Sequence, residues 1–450
     1  MIPLLARRLF IPAFELAARR PTLRAASELR HTQHFSPERL REWQLAKLRA
    51  LLASVLAHTD YAELAGVERS WLPASLAGLS RLPLLDKATL TAHRERLVNR
   101  RVAGGAIRYN TGGSSGQPLI FYLDRRRQAW DRAARIRAHE WFAVRPGDRE
   151  AYLWGSPVEL TRQDRLRALR DRLVNDRLID AFGLSERSVA RYVAGLRAFR
   201  PACLFGYPSS IALLARLASR AGLRLDDLNL RAVFVTAELL TDEQRRTIAK
   251  AFAAPVANGY GSREGGFIAH ECPHRRLHVT DESVIVEYLH DGRPAAPGED
   301  GEIVVTHMDN HAMPFIRYRT GDIAAADDEP CPCGRGLSVM RTLRGRTTDF
   351  IVTPDGRWVH GLAVIYAVRD LPGVREYQIV QEDLHRLTVS VVLGEDFPSD
   401  GAERIAGELT ARLGPEMHVD VRRTDAIAPS PSGKHHSVIS QVARDREAML

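Results

Sequence analysis

The densest concentration of groups able to hold an anion is the run Thr111-Gly112-Gly113-Ser114-Ser115-Gly116. Glycines let a backbone turn sharply and come close to a ligand. Hydroxyls and free N–H groups then converge on negative charge as a phosphate-binding nest. A plain surface turn has the same composition. The run is not a Walker A loop, because Gln117 follows Gly116 where lysine is required, and no G-x-G-x-x-G opens a helix. Four further stretches carry charge on glycine turns: Asn258 to Gly266 with Glu264, Tyr318-Arg319-Thr320-Gly321-Asp322, Arg344 to Asp349, and Pro431-Ser432-Gly433-Lys434. Each alone reads as a turn.

A second chemistry is written in the cysteines. Cys331-Pro332-Cys333-Gly334 is a C-x-C knuckle, Cys272 lies in Glu271-Cys272-Pro273-His274, and His278 follows. Three thiols and one imidazole make a closed tetrahedral zinc set, structural because no open position remains. The alternative is reduced surface cysteines, against which an exposed C-x-C is a reactive liability without a metal. His278 is favoured over His274 because it opens a strand-like run. Cys203 reads as core, and disulfides are not expected in a large cytosolic chain.

The elements that must position these groups follow from periodicity. Residues 37–58 space Leu40, Trp43, Leu48, Leu51, Leu52 and Val55 along one helical face. Residues 125–143, 162–181 and 185–199 also read as helices, and arginines give 162–181 a solvated basic face. Beyond Pro201 the chain alternates strand 203–207, helix 209–221, strand 232–236, helix 241–252 with Thr241 as N-cap, and strand 256–260. That order predicts a parallel sheet with covering helices, which binds ligands beyond the carboxyl ends of its strands. From about 276 the pattern turns antiparallel, with strands 283–289 and 302–306 about the Asp291-Gly292 turn. A boundary near 343–349 separates a compact unit with strands 350–353, 357–360, 374–381, 385–393 and 417–423 and helices 361–370 and 402–413. The expected fold class is therefore α/β: residues 1–345 with parallel sheets, covering helices and an antiparallel subdomain, and residues 346–450 as a small α+β domain.

Length and charge narrow the partners. The 450 residues suffice for two or three domains, and a net charge of +9 suits a polyphosphate, anionic lipid or nucleic acid. No standard nucleic-acid module is present, so nucleic acid is not an expected partner. The apolar stretch 9–18 is broken by Pro12 and Glu15 and is too short to span a bilayer. No cleavage site follows it. It reads as an amphipathic packing helix, compatible with weak membrane-surface contact, and the cytoplasm is the expected compartment. Homodimerisation stays open.

The order of the five glycine-turn stretches resembles that of the adenylate-forming (AMP-binding) enzyme superfamily. Gly206-Tyr207-Pro208-Ser209 and Met313-Pro314-Phe315-Ile316-Arg317-Tyr318-Arg319-Thr320-Gly321-Asp322 resemble its phenylacetate–CoA ligase branch, including capsule-biosynthesis-type members, from about residue 40 to near the end. The resemblance implies that Thr111, Gly112, Gly113, Ser114, Ser115 and Gly116 hold the ATP β- and γ-phosphates. Glu264 would hold Mg²⁺, Asp322 the ribose hydroxyls with Arg346, and Tyr260 the adenine, while Gly259 and Gly261 let the ligand approach. Lys434 would reach the reacting carboxylate from a mobile lid swinging about 346–349. Thr111, Glu264 and Lys434 would carry catalysis, and Trp154, Phe205, Tyr207, Pro208, Ala237 and Gly261 would line the acyl pocket. The branch includes members with a zinc site, here Cys272, His278, Cys331 and Cys333. Two departures stand out: Thr348-Asp349 replaces the usual hinge Asp pair, and no lysine follows the Gly/Ser loop.

The implied reaction is ATP-dependent activation of a small carboxylic acid as its acyl-adenylate, with transfer to coenzyme A. Transfer to an amine of a sugar or small metabolite is the nearest rival. A zinc-bearing binding protein without catalysis is the rival of another class, and Glu264, Asp322 and Lys434 argue against it. The aromatics suggest an apolar or aryl acid.

Overall fold

The computed structural model describes residues 3–110, 119–155, 170–181, 183–290, 292–344, 350–369, 371–394, 396–427 and 438–442. The chain divides into two compact units: residues 1–111, 119–148 and 257–345, and residues 112–118, 149–256 and 346–450. Its class is α/β with a smaller C-terminal sheet.

The first unit is built on antiparallel strands. Val284–His290 pairs with Gly301–His307, which pairs with Tyr318–Asp327, which pairs with Val339–Arg344. The ladder continues through Leu277–Val279 and Gly266–Glu271 to Val256–Ser262. Apolar residues alternate on the strands, so Ile268, Val279, Val284, Ile303, Val305 and Met340 close one core. A second core gathers Leu48, Leu51, Leu52 and Val55 of the helix Pro37–His58 with Met313, Phe315 and Ile316. Ser36 caps that helix, accepting from the Arg39 N–H, and Pro37 sits in its first turn, where a missing N–H costs nothing. The strands Ile107–Asn110 and Ile120–Leu123 form a short antiparallel pair. The arginine-rich helix Arg125–Glu140 is capped by Asp124 and buries Arg127, Ala133, Ala134 and Arg137. Lys47 is buried too, its ammonium shared by Asp309 at 2.6 Å and the Glu282 carbonyl at 2.7 Å.

The second unit contains a parallel sheet in the order Asp176–Ile179, Glu150–Leu153, Cys203–Gly206, Ala232–Thr236. The strands Cys203–Gly206 and Ala232–Thr236 are nearly all apolar, as strands covered on both faces require. Helices Pro208–Arg220 and Asp242–Phe252 pack together, and Thr241 with Gln244 forms a capping box. The C-terminal sheet runs His418–Arg423, Arg386–Leu393, Val374–Asp383, Val438–Ser440. Helix Gly401–Leu413 buries Ile405, Leu409 and Leu413.

One predicted helix is corrected. Residues 162–181 do not form a continuous helix, because Asp176–Ile179 is a strand paired in parallel with Glu150–Leu153. The break falls at Asn175, whose φ of 68° is left-handed and whose carbonyl accepts from the Glu150 N–H.

Candidate functional site

Two hydrogen-bonded strands set the geometry of the first unit. Val256–Ser262 runs into a tight turn and returns as Gly266–Glu271, with a bulge between Tyr260 and Gly261. The Ser262 hydroxyl accepts from the Gly265 N–H at 2.7 Å and closes the turn. Gly266 has φ of 78°, and a side chain there would meet Asp131 Oδ1 at 2.5 Å and His307 Nε2 at 2.7 Å. Only glycine fits. Glu264 stands on this turn, half-buried. Burial raises its pKa, against the pull of Arg127 and Lys87. A carboxylate held short of full solvation is a group in want of a cation.

The turn is gripped from below by Arg127, whose side chain is fully buried. Arg127 Nη2 donates to the Arg263 carbonyl at 3.0 Å, and its Nε donates to Asp131 at 3.2 Å. Its Nη1 has no hydrogen-bond partner among the described residues. Asp131 also accepts from the Phe267 N–H at 3.1 Å. His307 completes the network. Its Nδ1 accepts from the Asp309 N–H at 3.2 Å, so the proton lies on Nε2, 3.2 Å from Asp131. Burial, then Arg127, lowers the His307 pKa, making it a neutral donor rather than a cation. Burial would raise the Asp131 pKa, but Arg127 and the bond to His307 outweigh it and hold the carboxyl far below its usual range. Arg263 in turn donates to the Asn110 carbonyl at 3.0 Å, at the root of the Gly/Ser run.

Tyr260 and Asp322 meet from two different strands. The Tyr260 hydroxyl donates to Asp322 Oδ2 at 3.0 Å. Thr320, on the same strand as Asp322, donates to the Ile303 carbonyl at 2.8 Å and accepts from the Asp322 N–H at 3.2 Å. Burial and the neighbouring Asp322 charge push the Tyr260 pKa well up, so the phenol stays protonated. Leu85 pairs with Tyr318, its N–H donating to Arg317 O and its carbonyl accepting from Arg319 N, which pins the start of the same strand.

In the second unit, Trp154 and Tyr207 stack with centroids 4.0 Å apart, and Phe205 lies 5.8 Å from Trp154. Pro208 begins the next helix. Ala237 follows the strand Ala232–Thr236 with φ of 71°. Its neighbour Glu238 accepts from the Ser209 N–H at 3.2 Å and hydroxyl at 2.5 Å. Sequence alone singles out none of Arg127, Asp131 and His307.

Cys272, His278, Cys331 and Cys333 come together with all four ligand atoms within 4.8 Å of one another. Cys272 and Cys331 sulfurs are 3.6 Å apart, and Cys333 Sγ is 3.2 Å from His278 Nε2. Zinc bonds of about 2.3 Å to sulfur and about 2.0 Å to nitrogen imply tetrahedral edges of roughly 3.5–3.8 Å, so the set has room for one ion. His278 Nδ1 donates to the Leu337 carbonyl at 3.3 Å, leaving the Nε2 lone pair for a metal. Burial lowers the His278 pKa to about 4 and raises the Cys331 thiol to about 12. His274 is exposed and stands outside the cluster. Thr111, Gly112, Gly113, Ser114, Ser115, Gly116, Arg346 and Lys434 lie outside the described residues.

Residues 351–441 match a family model described as the CapK C-terminal domain. Protein CapK of Staphylococcus aureus is 25% identical over 378 residues, covering 82% of this chain and 81% of its own. A phenylacetate-coenzyme A ligase of Thermus thermophilus is 26% identical over 253 residues, 52% of this chain and 54% of its own. Among solved structures, 2-hydroxyisobutyryl-CoA ligase with 2-HIB-AMP and CoA superposes with a TM-score of 0.60 over 92% of this chain and 93% of its own, at 18% identity, a likeness of fold. The chain is thus similar to protein CapK along most of its length and to a phenylacetate–CoA ligase over about half of it, in agreement with the resemblance carried by the glycine-turn stretches.

Proposed function

We propose that this protein uses ATP to activate a small carboxylic acid and passes the acyl group to coenzyme A. The acid's oxygen attacks the α-phosphorus, the bond to the bridging oxygen breaks, and pyrophosphate leaves with that electron pair. The thiolate then attacks the acyl carbon and AMP departs. Both steps bring anions together, so the protein's share is positioning and electrostatic stabilisation.

The observation that carries the reading is the Tyr260–Asp322 pair on the same antiparallel ladder as the Glu264 turn. Asp322, oriented by Tyr260, presents a carboxylate, the acceptor type that suits a ribose diol. Glu264 fits Mg²⁺, which would neutralise phosphate charge when bound. Thr111 to Gly116 would cradle the phosphates, and Gly259 and Gly261 would let the nucleotide approach. Arg346 would assist at the ribose, and Lys434 would deliver a cation to the reacting carboxylate from a lid formed by residues 346–450. The Trp154–Tyr207 stack with Phe205, Pro208 and Ala237 supports an apolar or aryl acid. Cys272, His278, Cys331 and Cys333 would hold a structural Zn²⁺. The compartment is the cytoplasm, where ATP and coenzyme A are found.

Pyrophosphate exchange screened over aryl and aliphatic acids tests the first step. Exchange with no acid would end the reading. AMP release that requires coenzyme A identifies a thiol acceptor, and release that requires an amine replaces the acceptor while keeping the adenylate. Lys434→Ala should nearly abolish exchange while ATP still binds.

A further inference from the structure

We propose that the N-terminal helical segment seats the protein on an anionic lipid surface. The backbone is helical from Pro3 to Ala17, as Pro3–Leu5, a π-turn Ala6–Phe10 and Ile11–Ala17. One side is firmly seated. Ala6 and Ile11 are buried, and Arg7 donates to the Pro146 carbonyl at 2.8 Å and to Asp148 at 3.2 Å. Gly147 lets the segment come close, since a side chain there would meet the Arg7 nitrogen and the Pro3 carbonyl, each at 2.9 Å.

The other side is apolar and bare. Leu4, Leu5, Leu9 and Leu16 are 50%, 48%, 56% and 80% exposed. With Leu23 they make five of the eight exposed large hydrophobics among the described residues, so the apolar exposure is concentrated here. Leu5, Leu9 and Leu16 are four and seven residues apart, about one and two helical turns, and share a side. Scattered single leucines need no explanation, but a clustered set marks a contact surface.

Charge selects the occupant. Arg8 and Arg19 are exposed and have no ion-pair partner among the described residues. The only acid in residues 1–24, Glu15, is buried and neutralised by Arg20 at 3.0 Å and Arg132 at 3.4 Å. The outward face therefore offers leucine side chains and guanidinium groups with no carboxylate. Anionic lipid matches both, taking the leucines at the acyl boundary and the arginines at its phosphates. A second copy matches only the leucines and would oppose arginine to arginine. The segment would lie in the interface plane. No helix among the described residues is long and apolar enough to cross a membrane.

The test is co-sedimentation of the full chain with vesicles of phosphatidylcholine alone and of phosphatidylcholine mixed with phosphatidylglycerol. Binding should be at least about tenfold tighter to the mixed vesicles and should weaken with salt. Leu9→Ser with Leu16→Ser should weaken it about tenfold or more at unchanged melting temperature. Arg8→Gln with Arg19→Gln should remove the preference for the anionic lipid. No binding to mixed vesicles overturns the proposal, as does binding indifferent to all four replacements. A wild-type dimer that the leucine variant turns into monomers overturns it too, making the face a contact between copies. None of these readings depends on the proposed reaction, whose own test is pyrophosphate exchange.

Discussion

Tyr260 donates its hydroxyl proton to Asp322 across 3.0 Å, joining two strands that are distant in sequence. The bond fixes one carboxylate oxygen and so orients the carboxylate. Tyr260→Phe removes the donor while keeping the ring. A hydrogen bond to a charged group is worth about 1.5–3 kcal/mol, so KM for ATP in pyrophosphate exchange should rise about tenfold or more. Asp322→Ala should cost more than Tyr260→Phe, and adding Tyr260→Phe to Asp322→Ala should cost nothing further.

Arg127 opposes the burial that raises the Glu264 pKa. Removing it lifts that pKa further, so the acid limb of the activity profile should move to higher pH. Arg127→Met alone strands the Asp131 charge and should destabilise the fold by about 3–5 kcal/mol. Arg127→Met with Asp131→Asn should restore most of that stability without returning the acid limb. Denaturant titration and the pH profile of pyrophosphate exchange separate the two effects.

Asp281 accepts from the Ser338 N–H at 2.6 Å, yet burial raises its pKa to about 7. The unfolded chain ionises this carboxyl near 4. Its protonated form is therefore favoured by folding. That contribution is complete below about pH 4, falls as pH rises, and is gone above about 7. Asp281→Asn should flatten this slope and stabilise the protein at pH 7, as read by melting temperature across pH 4–8.

The four-ligand cluster predicts about one zinc per chain by elemental analysis. Cys333→Ser should lower that content, and chelation should lower the melting temperature of the wild type by more than that of the variant. Equal shifts in both would count against a metal at Cys272, His278, Cys331 and Cys333.

Much of the fold was legible because its signals are local. Thr241 with Gln244, Pro37 after Ser36, and the apolar runs at 203–206 and 232–236 each declare an element without help from the rest of the chain. The strand Asp176–Ile179 was not legible. Its surroundings are rich in arginine and leucine, good helix formers, and its strand character comes from pairing with Glu150–Leu153. Asn175 was the available signal, since asparagine tolerates a left-handed backbone. Within the site, Glu264, Asp322 and the cysteines stand out by type and spacing. Arg127 and Asp131 did not, because in sequence they are two more charges on a basic helix. Burial distinguishes Arg127 from its neighbours, and burial is a property of what packs against it.

The link from Arg127 through Arg263 to Asn110 has a consequence for modularity. The carboxylate turn is not a cassette. Moved alone into another scaffold, it would lose the guanidinium beneath it and its tether to the strand Ile107–Asn110. A successful graft would have to bring along a helix more than a hundred residues away in the chain. Substitutions at the two places should therefore be inherited together rather than exchanged one at a time.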